Sequence, residues 1–214
     1  TFEVLDQPSD SIIQHVRTDI IDYLKEGQDF NIARLQLNIF NNPFQSVYTK
    51  FSIGILEEMF SGYGFEYLYF DRSKNYAVGF EMFDVRKRDY KLRFGTLDYS
   101  NVTAHVNLYY RNYGKIPFDA KLSFGEYLAG DVGTTFEISR SFRNGAEFGI
   151  FASFTDVSTE DYGEGSFDKG IFFNIPIYKD LVNYTWRPLT KDPAAKLLRK
   201  NTLHDLLVKF KSYE

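Results

Sequence analysis

From Ile32 to Ile177 nearly every run between turn signals alternates apolar with polar residues, and the polar half of that alternation is what most restricts the fold. Side chains alternate faces along a strand, so each run has one apolar and one polar wall. The polar wall carries Arg34, Gln36, Lys50, Glu66, Glu81, Arg93, His105, Lys121, Glu137 and Glu147. Charges of both signs cannot line a dry hydrocarbon core, because an unpaired buried charge is too costly. The expected interior is therefore wet or ion-paired, with the apolar wall turned outward toward lipid. A soluble ligand-carrying barrel would show the opposite polarity.

The runs are Ala33 to Ile39, Val47 to Ile55, Tyr63 to Tyr69, Tyr76 to Met82, Lys91 to Gly95, Val102 to Tyr110, Phe118 to Phe124, Val132 to Ser141, Ala146 to Thr155 and Ile171 to Ile177. Asn144-Gly145 reads as a two-residue hairpin turn with positive φ at both positions. Pro176 marks an edge or strand end. Further on, NYTWRPLT reads as a strand, DPAAKLLRK as a loop or short helix, and TLHDLLVKF as either a closing strand or a helix. The expected fold is all-β: an antiparallel up-and-down transmembrane β-barrel of about 10–12 strands with an N-terminal helix.

That helix is expected within residues 1–30, capped by Ser9 or Asp10, with Ile12, Ile13, Val16, Ile20 and Leu24 at helical spacing and Gly27 as its stop. The barrel would fill 31–214. Short turns on one side and long loops on the other would put Asn144-Gly145 in the periplasm and the 157–169 loop outside, with both chain ends periplasmic if there are twelve strands. Aromatics make up 18% of the chain and mean hydropathy is -0.34, a pairing that suits an aromatic outer wall around a polar lumen. A net charge of -4 leaves no basic footprint for nucleic acid. With no cysteine there is no disulfide and no thiolate site.

Local chemistry is sparse. His15, His105 and His204 lack metal-ligand spacing, and His105 reads as a hydrogen-bonded lumen residue. Glu57 and Glu58 would point to opposite faces of a strand, too far apart for paired acid–base work. The tract Arg86 to Asp89 reads as a solvated turn, or as a rim contact with a partner or anionic lipid. The acidic loop with Glu160, Asp161 and Glu164 reads as a structured loop over or into the barrel, with calcium binding as the alternative.

Several longer blocks carry a resemblance. GEYLAGDVGTTFEISRSFRNG, SFTDVSTEDYGEGSFDKGIFFNIPI and WRPLTKD, preceded by ARLQLNIF, SIGILEEMFSGYGFEYLYF and VGFEMFDVRKRDY, resemble the C-terminal barrel region of the YjbH/GfcD family over roughly residues 10 to 192. The resemblance implies an outer-membrane β-barrel, often a lipoprotein, serving exopolysaccharide or group 4 capsule biosynthesis and export. The lipid-attachment cysteine is absent and the family's chains are several times longer, so this chain is expected to be a barrel fragment.

The expected function is an outer-membrane barrel assisting exopolysaccharide or capsule biosynthesis and secretion, with no enzymatic activity and no cofactor. The alternatives are a plugged barrel acting as a structural or interaction module, and a barrel enzyme acting on lipid or glycan. Expected partners are membrane lipid, polysaccharide and other envelope polysaccharide-export proteins, but not nucleic acid. The candidate lumen ligand-binding residues are Arg34, Asn38, Tyr48, Lys50, Arg93, His105, Asn107, Tyr109, Lys121 and Glu137. Tyr127 and Phe151 share their inward parity.

Overall fold

The computed structural model describes residues 16–27, 30–158, 161, 167–178, 182–188, 193–199 and 202–211. A seven-residue helix α1 (Ile20–Glu26) leads into strands β1 (Leu35–Phe44), β2 (Val47–Ile55), β3 (Phe60–Phe70), β4 (Tyr76–Arg88) and β5 (Thr96–Asn112). Then follow β6 (Phe118–Glu126), β7 (Val132–Ser141), β8 (Glu147–Thr155), β9 (Asp168–Tyr178), β10 (Val182–Trp186) and helix α2 (Leu203–Lys211). The ten strands form one antiparallel sheet in sequence order, each paired with the next.

Alternation sorts the walls as their residue types require. Leu37 is 61% exposed, Phe136 51% and Ile150 55%, whereas Glu66 is 4% exposed, Asn107 1% and Ser123 0%. The sheet thus inverts the usual rule for water, with apolar side chains bare and polar ones covered. What covers the polar wall is the chain's own two terminal segments. At one end Val16, Tyr23 and Ala195 pack with Leu56, Phe60, Phe83 and Leu128. At the other, Leu203, Leu207 and Val208 of α2 pack with Leu68, Phe70 and Ala77.

Several expectations change. Closure is one: among the described residues β1 and β10 stand at the two edges and no pairing joins them, so the sheet is not a closed barrel. The segment TLHDLLVKF, a candidate closing strand, is taken up by α2. β10 has only five residues, and the β9–β10 register shifts between Val182 and Asn183, beside Pro176, which has no N–H to donate. The N-terminal helix is short and buries Ile21 and Tyr23 rather than Leu24, which is 39% exposed. Its expected start, with Ser9, Asp10 and His15, lies outside the described residues, as does most of the acidic loop.

Lys91 to Gly95 is not a strand. The chain turns there, with Leu92 buried at φ 54, while Asp89 N–H donates to Gly95 O at 3.1 Å. Five alternating residues cannot be told from a turn by parity alone. Removing this strand reverses the side on which every later turn falls. The 156–167 connection therefore lies at the same end of the sheet as the start of β1 and the end of β10, and the 142–146 turn lies at the far end. That turn has three residues rather than two: Gly145 N–H donates to Phe142 O at 2.9 Å, and Gly145, φ 81, is the one residue of Arg143-Asn144-Gly145 with positive φ.

At Gly54 a positive φ coincides with a close backbone approach. Its φ is +128 and a Cβ would lie 2.3 Å from the Leu35 carbonyl oxygen of the paired strand. Gly54→Ala should cost about 1–3 kcal/mol in urea unfolding of detergent-solubilised protein, through loss of the β1–β2 edge. An unchanged midpoint would contradict this close approach.

Candidate functional site

The centre of the polar wall is a buried ionic network. Lys50 Nζ on β2 donates to Glu66 Oε1 on β3 at 2.7 Å. Glu81, opposite Glu66 on β4, lies 3.8 Å from His105 Nδ1 on β5. Both carboxylates also accept from the Arg199 guanidinium, which comes from the segment between β10 and α2. Two glutamates facing each other across a strand pair would repel. Arg199, bridging both, with Lys50 on Glu66, makes that pairing tolerable.

The 193–199 strap crosses the wall by backbone bonds. Ala194 N–H donates to Asp131 Oδ2 at 2.8 Å, Leu128 N–H to Ala195 O at 2.9 Å, and Leu198 N–H to Glu57 Oε2 at 2.5 Å. Arg34 donates to Leu198 O at 2.8 Å, and Arg17 donates to Lys196 O while pairing with Glu57 at 2.7 Å. Beyond the network Leu203 N–H reaches Glu66 Oε2 at 3.0 Å, and His204 stacks on Tyr109 with centroids 3.7 Å apart. The strap and α2 thus run from one end of the wall to the other.

On β5 to β8 the wall is knit by hydroxyls and amides. Ser123 Oγ donates to Asn107 Oδ1 at 2.6 Å, and Tyr127, Thr135 and Ser153 form a chain at 2.6 and 2.9 Å. Glu137 on β7 pairs with Arg187 at 3.0 Å, and Lys121 Nζ lies 5.5 Å from the Tyr109 ring centroid. On the strap, burial depresses the Lys196 ammonium to about 7, with Lys121 adding repulsion. Burial likewise raises Asp131 to about 6 and lowers His204 to about 4.

Of the ten candidate lumen residues, Asn38, Tyr48, Lys50, His105, Asn107, Tyr109, Lys121 and Glu137 lie on the polar wall. Asn38 accepts from Ser52 at 2.7 Å, and Tyr48 packs against the α2 cluster. Arg34 precedes β1 and holds the strap. Arg93 belongs to the turn after β4, exposed and off the wall, offering only its carbonyl to Arg88 at 2.6 Å.

A family model described as exopolysaccharide biosynthesis protein YbjH matches residues 1–209. The chain belongs to the YjbH family. A protein of Escherichia coli (strain K12) described as "Uncharacterized lipoprotein YjbH" is 34% identical over 215 residues, covering 96% of this chain and 30% of that protein. The chain thus spans about 30% of the curated relative it matches. No solved structure matches it.

The residues that lock this YjbH-family sheet to its strap were not those the sequence pattern singled out. Glu57 lies in the β2–β3 turn rather than on a strand and is 2% exposed, the anchor for both Arg17 and Leu198, while Glu58 is exposed. The tract at Arg86 is not a solvated turn. Lys87 pairs with Asp19 at 2.6 Å, and Arg88, 1% exposed, donates to Glu58 O at 2.6 Å and Ile32 O at 3.0 Å. No sequence period marks Arg17, Lys196 or Arg199. The available signal was the surplus of acid on the polar wall at Glu66 and Glu81, which called for a cation from elsewhere.

Removing Arg199 strands two carboxylates in a covered site, so Arg199→Met should destabilise by about 3–5 kcal/mol in denaturant unfolding. Adding Glu66→Gln and Glu81→Gln should restore most of that loss. Equal stability of Arg199→Met and the unaltered protein would contradict the network.

Proposed function

We propose that this region of a YjbH-family protein is embedded in the bacterial outer membrane and assists exopolysaccharide secretion or assembly as a plugged, non-conducting platform. The observation that carries the plugged reading is the strap and α2 running the length of the polar wall, tied in by Arg199 to Glu66 and Glu81. A continuous polar path would favour a conduit. Paired charges and a helix on that path favour an interaction module.

Lipid is the environment that fits a bare apolar wall. Strands of nine residues or more over β1 to β9 are long enough to cross a bilayer when tilted. No helix among the described residues is long and apolar enough to do so, which says nothing of strands. A lipoprotein relative supports attachment to an envelope membrane. Open strand edges are not tolerated in hydrocarbon, so β1 and β10 must be paired or covered in the membrane.

The even strand count puts both ends of the sheet on one side, which we assign to the periplasm, where other envelope export proteins would dock. The far end then faces outward with exposed Arg72, Lys74, Lys115, Arg140 and Arg143, a basic rim suited to anionic lipid headgroups. No catalytic step belongs to this reading. Of the described histidines, His105 faces Glu81 and Tyr127, and His204 lies on Tyr109.

In planar lipid bilayers the full-length protein should give no steady conductance, and Arg199→Met should give openings as the strap loosens. A steady ohmic channel from the unaltered protein would contradict the plugged reading. Deleting the gene should lower secreted exopolysaccharide, and unchanged secretion would contradict the role.

A further inference from the structure

Beside the ionic network lies a partly open chamber of about 140 Å³ between β7, β8 and the terminal segments. Thr135 and Glu137 of β7 and Ser153 of β8 line one side, and Arg17, Arg187 and Lys196 the other. One ordered water needs roughly 10–15 Å³ of such volume, so the chamber is several times larger than a structural water site.

Among the described residues its charges do not cancel. Arg17 is matched by Glu57 and Arg187 by Glu137. Lys196 Nζ is covered and has no hydrogen-bond partner among the described residues. It lies 5.6 Å from the Tyr127 ring centroid. The other groups acting on it are Lys121 from β6 and Arg187 after β10, which repel it, and Glu137 from β7 and Glu81 from β4, which attract it. Glu137 and Glu81 are already engaged by Arg187 and Arg199. A covered ammonium left over after the local carboxylates are engaged is an energetic liability that is relieved either by losing its proton or by an anion that completes it.

We propose that this chamber is a binding subsite for a carboxylate-bearing sugar, with Lys196 as its anion partner and the Thr135–Ser153 hydroxyls and Glu137 placed for ring hydroxyls. That the carboxylate is carried on a sugar rests on the exopolysaccharide reading. The excess cation does not depend on it. A sugar carboxylate brings one negative charge and ring hydroxyls that can donate to Glu137, whereas phosphate brings up to two negative charges and few donors, so Glu137 disfavours phosphate more.

The carboxylate requires the charged ammonium, and Lys196 titrates at about 7 because burial, then Lys121, depresses it. Above that pH each binding event must take up a proton. Affinity should therefore fall on the order of tenfold per pH unit above 7.

The test is calorimetric titration of full-length protein in detergent with glucuronate, glucose and inorganic phosphate at pH 6 and 8.5. Glucuronate should bind at pH 6, weaken at pH 8.5 with proton uptake, and lose at least tenfold in Lys196→Met, while Lys196→Arg retains binding. Glucose and phosphate should bind at least tenfold more weakly. A circular-dichroism spectrum shows whether Lys196→Met is folded, and Thr135→Val gives a second, uncharged variant that should weaken glucuronate binding several-fold. Undiminished binding in folded Lys196→Met, or glucose binding as well as glucuronate, would overturn the proposal. Phosphate competing as well as glucuronate would overturn the sugar specificity. If gene deletion leaves secretion intact while glucuronate still binds through Lys196, the secretion role fails and the subsite stands.

Discussion

Arg199 between Glu66 and Glu81 is the contact on which the interior depends. Without it, of two facing carboxylates on neighbouring strands Glu66 would keep Lys50, while Glu81 would be left with the more distant Lys121 and Lys196. With it, the strap is fixed at mid-wall. Glu57 and Asp131 hold its earlier residues, and Leu203 N–H closes on Glu66 as α2 begins. Such networks contribute little net stability relative to a well-packed apolar core, but breaking one partner is expensive. Their effect here is to specify which segment fills the wall and in what register.

The two faces of the sheet follow from the same constraint. A wall with Lys50, Glu66, His105 and Asn107 at 4% exposure or less must be satisfied internally, and the terminal segments supply the partners. The opposite wall, with Leu37, Phe136 and Ile150 bare, finds no partner among the described residues. Water would penalise that wall by about 25 cal/mol for each Å² of apolar surface, whereas lipid does not. On the proposed reading, membrane embedding and internal plugging are two consequences of one alternating pattern.

Much of this was legible in the sequence, because long period-2 runs leave little freedom of face. Lys50, Glu66, His105 and Asn107 fall where parity assigns them. Parity failed at Arg93, where a five-residue run was a turn, and that one extra strand put the 157–169 loop at the end of the sheet opposite the start of β1, whereas the two lie at the same end. Closure is a contact between strands far apart in sequence, and no local signal reports it. The strap is aperiodic, so Lys196 and Arg199 carried no mark of their partners, and Glu57 looked like one of two acids on opposite faces of a strand. Membership in the YjbH family was readable from whole blocks, since several matched segments in order are far more specific than any side-chain spacing.

The central claim is that the apolar wall meets lipid while the polar wall is sealed by the chain itself. These 214 residues contain no cysteine, so once any cysteine elsewhere is replaced, single cysteines at Val106, Asn107 and Phe136 can each carry a spin label in reconstituted full-length protein. The labels at Val106 and Phe136 should collide freely with oxygen dissolved in the bilayer and not with a water-soluble nickel chelate, and the label at Asn107 should be sheltered from both. Ready collision of the nickel chelate with the labels at Val106 and Phe136 would contradict the account.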